Sequence, residues 1–161
     1  MILRNAYVVL EPISPELARR IVARDERPGD DWHSEYPYAD ELDPLQSLAG
    51  APTPDPDFTM YMIRRPSDGQ AVGGFGFFGP PDEQGVVEFG YGLVPAARGA
   101  GLATEAVKLA LERARDCGAT VATANTAQDN DASQRVLVRS GFTEMGRRDS
   151  LVFYRRALAA R

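Results

Sequence analysis

The chain has little of the chemistry that several functional classes require. Its 161 residues include one cysteine, Cys117, and one histidine, His33. A single cysteine excludes an internal disulfide and argues against a cysteine-based metal site. A lone histidine among acidic, Pro- and Gly-containing residues reads as a loop residue more readily than as a ligand. No stretch approaches the roughly 18 uninterrupted apolar residues of a membrane helix. The start, MILRNAYVVLEP, has no apolar core followed by a small-residue cleavage site, so no secretory signal is legible. Excess positive charge is missing too. The net charge of −5 disfavours nucleic acid as a partner. These absences lead us to expect a cytoplasmic protein with no membrane partner and no metal.

What is present suits an ordinary globular chain, with 43% hydrophobic and 25% charged residues. The length fits a single domain over residues 1–161 with a full core. Charge is unevenly spread. Between Asp25 and Asp57 there are ten acidic residues and one basic one, Arg27. From Tyr61 onward the count is eleven acidic and thirteen basic. The acidic stretch reads either as a solvated surface or as a wall that draws in a cationic ligand.

Periodicity supplies the elements. Tyr7–Leu10 is a short β-like run. Ser14-Pro15-Glu16 has the form of a helix start, and Leu17, Ala18, Ile21 and Val22 follow at helical spacing to about Arg24. Residues Arg27–Pro37 read as loop. Asp40 is a candidate cap for a short helix that begins near Pro44 and ends near Gly50. Phe58–Arg65, Ala71–Phe78 and Val86–Val94 are strands separated by turns, an antiparallel meander. Gly73, Gly74 and Gly76 inside the second of these suggest a bulge or the close approach of another backbone. Leu102, Ala106, Val107, Ala110, Leu111 and Ala114 form the apolar stripe of a helix over Gly101–Cys117. Thr120–Ala124 is a strand, Asn130–Ser140 a short helix, and Phe142–Arg148 with Leu151–Ala157 a closing hairpin. The sum is a mixed α/β (α+β) fold.

One junction carries a chemical suggestion. The strand ending at Pro95 runs through Arg98-Gly99-Ala100-Gly101-Leu102-Ala103 into the long helix. The first amides of a helix lack internal partners, and its dipole is positive there. Two glycines and an arginine make this a pyrophosphate cradle, unless the glycines serve only the turn. The loop lacks the Gly-Lys-Ser/Thr of a nucleoside triphosphate site. A dinucleotide fingerprint needs a third glycine where Thr104 stands and an acidic residue in Thr120–Thr126, and both are missing.

The string Arg98-x-x-Gly101-x-Ala103 resembles the acetyl-CoA signature of the GNAT N-acetyltransferase superfamily. Glu88-Phe89-Gly90-Tyr91-Gly92-Leu93-Val94-Pro95 before it is similar to the Rim-type branch, which acetylates ribosomal-protein N-termini. So is Asn130-x-x-Ser133 leading into Gly141-Phe142. The resemblance covers residues 58–157. It implies a central, mostly antiparallel twisted sheet of about six to seven strands flanked by about four helices. It implies acetyl-CoA as co-substrate, held by Arg98, Gly99, Ala100, Gly101, Leu102, Ala103 and Thr104. Backbone amides near Leu93 and Val94 become the oxyanion and pantetheine contacts, and Asn130 bonds the cofactor or caps its helix.

Acetyl transfer to an amine needs a base, an oxyanion donor and a proton for the leaving thiolate. Period-two alternation puts Val87, Phe89, Tyr91 and Leu93 on one face of their strand, and Glu88, Gly90 and Gly92 on the other. A carboxylate beside two glycines faces open space, which makes Glu88 the candidate base. The alternative is a surface carboxylate or an ion pair with Arg64 or Arg65. The glycines could permit a bulge that splays this strand from Thr120–Ala124 and admits the pantetheine arm. Ser133 falls where Rim-like enzymes put a hydroxyl near the sulfur. Tyr154 and Tyr91 are alternatives, and alternation turns Tyr91 toward the core. Trp32, Tyr36 and Tyr38 either line an acceptor pocket or pack. Cys117 reads as structural. The expected activity is direct attack by a primary amine, a small cationic molecule or a peptide N-terminus, in a ternary complex. The alternative is a non-catalytic acyl-CoA-binding module of the same fold, and a homodimer is compatible with either.

Overall fold

The computed structural model describes residues 1–158. Their strands are β1 (Leu3–Arg4), β2 (Val9–Pro12), β3 (Met60–Arg64), β4 (Ala71–Phe77), β5 (Val86–Leu93), β6 (Val121–Ala127), β7 (Thr143–Arg148) and β8 (Leu151–Ala157). The helices are α1 (Pro15–Val22), α2 (Leu42–Ala49), α3 (Leu102–Asp116) and α4 (Asp131–Arg139). Single 3-10 turns precede α2 at Ala39–Glu41 and α3 at Pro95–Ala97. One sheet runs in the order β1-β2-β3-β4-β5-β6-β8-β7. Every pairing is antiparallel except β5–β6. A parallel pair needs a crossover, and α3 supplies it. The fold class is as expected, and the sheet exceeds seven strands only through β1, which has two residues.

The helix starts follow local rules. The Ser14 side chain accepts from the Leu17 amide and Pro15 opens α1. All six residues of the α3 stripe are buried, together with Ala103 and Leu109. The α2 start differs from expectation. Asp40 lies inside the 3-10 turn, and no side chain caps the helix. The turn already feeds its backbone bonds into α2, so the Asp40 carboxylate is released to point elsewhere.

Aromatic packing fixes β4 and β5 against the α3–α4 layer. Phe75 stacks on Phe89 at 5.1 Å between centroids, and Phe142 meets Phe89 edge-on at 5.6 Å. Each such pair contributes about 0.5–1.5 kcal/mol beyond the area it buries. The β4 glycines have three separate causes. A Cβ at Gly73 would strike the Gly92 carbonyl oxygen at 2.2 Å, one at Gly74 the Glu41 carboxylate at 2.6 Å, and one at Gly76 the Met60 side chain at 3.2 Å. The register shift between β3 and β4 lies next to Gly73, where Ile63 pairs Gly73 and Arg64 pairs Ala71.

Candidate active site

The parallel pairing of β5 with β6 covers only Val86–Glu88 against Val121–Thr123. Beyond Glu88 the strands part, and a cleft opens. The splay needs no bulge, because the β4–β5 register is continuous from Phe77–Phe89 to Gly73–Leu93. This corrects the expected bulge at the Gly90 and Gly92 positions. The cleft is lined by Tyr91, Gly92 and Leu93 of β5, by Arg98 and the start of α3, by one face of α4, and by Asp40 from the opposite face of the sheet.

The strand ladder decides which amides face it. The Val94 N–H donates to the Val72 carbonyl, and the Glu88 carbonyl accepts from Phe78. Antiparallel bonds alternate, so Tyr91 and Leu93 turn their amides the other way, into the gap. Val94 is fully buried with its amide already bonded. Of the two residues expected to supply an oxyanion donor, Leu93 therefore remains and Val94 does not. The Leu93 carbonyl accepts from Arg98 Nε at 3.1 Å, which ties the guanidinium to the cleft wall. The same guanidinium stacks on the Tyr38 ring at 5.1 Å.

At the loop, the amides of Ala96, Ala97 and Arg98 are taken by Glu35, Val94 and Pro95. Those of Gly101, Leu102 and Ala103 open α3 with no side-chain cap. Gly101, Leu102, Ala103, Thr104 and Gly99 line the cleft, whereas Ala100 does not. Gly99 and Gly101 have φ of 87° and 81°, and a Cβ on either would meet nothing within 4 Å. The left-handed backbone, not crowding, is what requires glycine here.

On α4, the Asn130 side chain accepts from the Ser133 amide, so it is a helix cap that also lines the cleft. Ser133 Oγ and Tyr91 OH lie 2.9 Å apart. Tyr91 does stack on Phe89 as alternation requires, yet it is only half buried and its hydroxyl reaches the cleft. Burial pushes its pKa up to about 12, against the opposing bond from Ser133, so the phenol keeps its proton. Tyr154 is buried and is not among the residues that line the cleft. Cys117, half buried with its pKa raised by burial, is likewise outside it.

Glu88 is exposed at the point where the strands separate, outside the cleft lining proper. Asn125 of β6 donates to its Oε2 at 3.4 Å across the opening. Arg64 pairs with Glu11 and Arg65 with Asp68, so neither neutralises Glu88. His33 sits in its loop and accepts from the Glu35 amide. Trp32 and Tyr36 are buried, and Tyr38 carries Arg98. Sequence reasoning missed Ala132, Arg135, Val136 and Arg139, which form the cleft-facing side of α4. Their spacing of three, four and seven is a helical face, and it was legible. It also missed Asp40, whose position over β5 no local pattern encodes.

A family model for an acetyltransferase (GNAT) domain matches residues 8–143. An uncharacterised N-acetyltransferase of Bacillus subtilis (strain 168), YjdG, is 33% identical over 87 residues, 53% of this chain and 51% of that protein. The match thus spans about half the length of that curated relative. A probable GNAT-family acetyltransferase from Chromobacterium violaceum superposes with a TM-score of 0.68 at 25% identity, covering 97% of this chain and 85% of its own. RimL, a ribosomal L7/L12 alpha-N-protein acetyltransferase solved with coenzyme A, has the same fold at a TM-score of 0.69 and 15% identity, with 98% of both chains covered. No helix among the described residues is long and apolar enough to cross a membrane. A cleft that opens between two parallel strands onto uncapped helix amides, and a family model matched from just before β2 to the first residue of β7, agree: this chain belongs to the GNAT acetyltransferase family.

Proposed function

We propose that the chain is an acetyl-CoA-dependent N-acetyltransferase that acts on a primary amine by direct attack in a ternary complex. The observation that carries this reading is the cleft itself, with bare helix amides at one end and a Tyr91–Ser133 hydroxyl pair within hydrogen-bond distance in its wall. The amides of Gly99–Thr104 and the Arg98 guanidinium suit a diphosphate. Arg135 and Arg139 add charge from α4 along the same cleft. RimL is solved with coenzyme A, which supports the same occupant here.

Glu88, held by Asn125, takes one proton from the acceptor's ammonium through water. The amine lone pair then forms the C–N bond to the thioester carbon, and the carbonyl electrons move to oxygen. The Leu93 amide meets that charge. As the C–S bond breaks, Ser133 gives a proton to the sulfur and recovers one from Tyr91. The second nitrogen proton leaves to water, Glu88 gives its proton back to water and Tyr91 takes one up, so one proton net is released per acetyl group transferred. No acyl-enzyme is needed, and the single cysteine lies outside the cleft.

Isothermal titration with acetyl-CoA, followed by thiol release against a panel of amines, tests the reading. Binding tighter than about 1 mM and amine-dependent thiol release are expected. No heat at that concentration counts heavily against the proposal. Binding without release for any amine, or release unchanged by both Glu88→Gln and Ser133→Ala, returns the chain to a non-catalytic binding module or moves the site elsewhere.

A further inference from the structure

The turn that leads into α3 has little of its own to fix it. Gly99 and Gly101 are left-handed, and a Cβ on either would meet nothing within 4 Å. Val94, which starts the 3-10 turn at Pro95–Ala97, has no side chain that could cap it. A glycine-containing loop left to itself is ordered only as its ligand arrives, and the ligand's affinity falls by that cost. Here two side chains from a remote segment hold the loop beforehand. Glu35 Oε1 accepts from the Ala96 amide at 3.1 Å, across 61 residues of chain, and so supplies the cap that Val94 cannot. The Arg98 guanidinium lies over the Tyr38 ring at 5.1 Å, and its Nε donates to the Leu93 carbonyl at 3.1 Å. The segment that carries Glu35 and Tyr38 is itself anchored. Trp32 and Tyr36 are buried, the His33 amide donates to the Ala71 carbonyl of β4 at 3.0 Å, and His33 Nδ1 accepts from the Glu35 amide at 3.0 Å. Glu35 and Tyr38, both exposed, reach out from that anchor to the turn.

We propose that Glu35 and Tyr38 are positioning residues for the diphosphate of coenzyme A, Glu35 through the Ala96 amide and Tyr38 through the Arg98 guanidinium. This rests on the acetyl-CoA reading and names what sets the cofactor's affinity from outside the cleft. Neither side chain lines the cleft, so each acts through the group it holds. A free arginine samples many rotamers, and that freedom is lost when it meets an anion. In this chain much of it is lost in advance. The Leu93 carbonyl takes the Nε–H and the Tyr38 ring supports the guanidinium, which leaves the Nη donors for a bidentate contact with phosphate. The contact uses the Tyr38 ring face, not its hydroxyl. At Ala96 any acceptor in the place of Glu35 Oε1 serves, because the bond it takes comes from the backbone.

The test is titration of the intact chain with acetyl-CoA and with inorganic diphosphate. Tyr38→Leu should raise the Kd of both about fivefold, and Glu35→Ala about threefold. Tyr38→Phe keeps the ring and Glu35→Gln keeps an acceptor, so each should return Kd to within about twofold of the parent's. Added to Arg98→Ala, Tyr38→Leu should cost nothing further, because the ring then has nothing to hold. In turnover the loss should appear in the acetyl-CoA KM and not in kcat. In 15N spectra of the free chain, Tyr38→Leu should shift the Arg98 Nε–H signal and Tyr38→Phe should leave it near its place. If Tyr38→Leu binds acetyl-CoA as the parent does, if its cost adds in full to that of Arg98→Ala, or if Tyr38→Phe fails to rescue it, the role of Tyr38 is overturned while the acetyl-CoA reading stands. Glu35 is judged in the same way by Glu35→Ala and Glu35→Gln. If the parent does not bind acetyl-CoA, the acetyl-transfer reading fails, and inorganic diphosphate decides the rest. Weaker diphosphate binding by Tyr38→Leu then keeps the positioning role, and equal or absent binding overturns it.

Discussion

The two ends of the cleft are built on opposite principles. The α3 end is made of backbone. Gly99, Gly101 and the first amides of α3 present donors that need no particular side chain. The Asp40–Glu41 end is made of side chains laid over a sheet that has had its own side chains removed, at Gly74 and Gly92. A backbone cradle fits a group common to every reaction of its kind. A side-chain arrangement can change with two substitutions. The difference also explains the glycines, which serve left-handed φ at one end and close approach at the other.

The comparison can be broken at either end. Glu88→Gln should have the largest effect, lowering kcat about 100-fold or more without changing acetyl-CoA affinity. A loss confined to KM would mean that Glu88 binds rather than takes a proton. Gly101→Val forces a β-branched residue into φ of 81°. Strain of about 1–2 kcal/mol should weaken acetyl-CoA about tenfold by titration and spare amine binding. Gly74→Ala is the mirror experiment. Its Cβ would lie 2.6 Å from the buried Glu41 carboxylate, so the melting temperature should fall, by calorimetry, with acetyl-CoA affinity unchanged.

Glu41 also gives a pH signature. Folded, it keeps its proton up to about 8, whereas unfolded it loses it near the ordinary carboxylate value of about 4.3. The folded state binds the extra proton between those values, so this residue's contribution to stability falls as pH rises through that window. Glu41→Gln removes the slope. The variant's melting temperature should match the parent's at pH 4 and exceed it by several degrees at pH 8.5, by calorimetry. Smallest of all, Asn130→Ala removes the α4 cap for about 1 kcal/mol, or about 3 °C. It leaves the α3 amides alone, so acetyl-CoA affinity should change little.

Much of the scaffold was legible because short-range rules dominate it. The α3 stripe, the Ser14 cap, the β3–β5 meander and the closing hairpin follow from period and turn chemistry. The cleft's donors were legible in part. Strand alternation placed Glu88 on the exposed face of β5 but misjudged Tyr91, since a core-facing ring is long enough to carry its hydroxyl past the core to Ser133. Val94 was misjudged for a related reason. Its amide direction depends on which residues bond to β4, and one residue of phase separates it from Leu93. Asp40 was read as a cap because local pattern cannot know that a 3-10 turn would precede α2.

By itself, the order of residues determined the elements, the glycine-arginine turn before α3 and the family they resemble, since each depends on neighbours within a few positions. Tertiary structure alone decided where β5 and β6 part, and that Asp40 and Glu41 come to rest on Gly92 and Gly74. Those contacts join segments more than thirty residues apart, and only the closed sheet brings them within a bond length or two of one another.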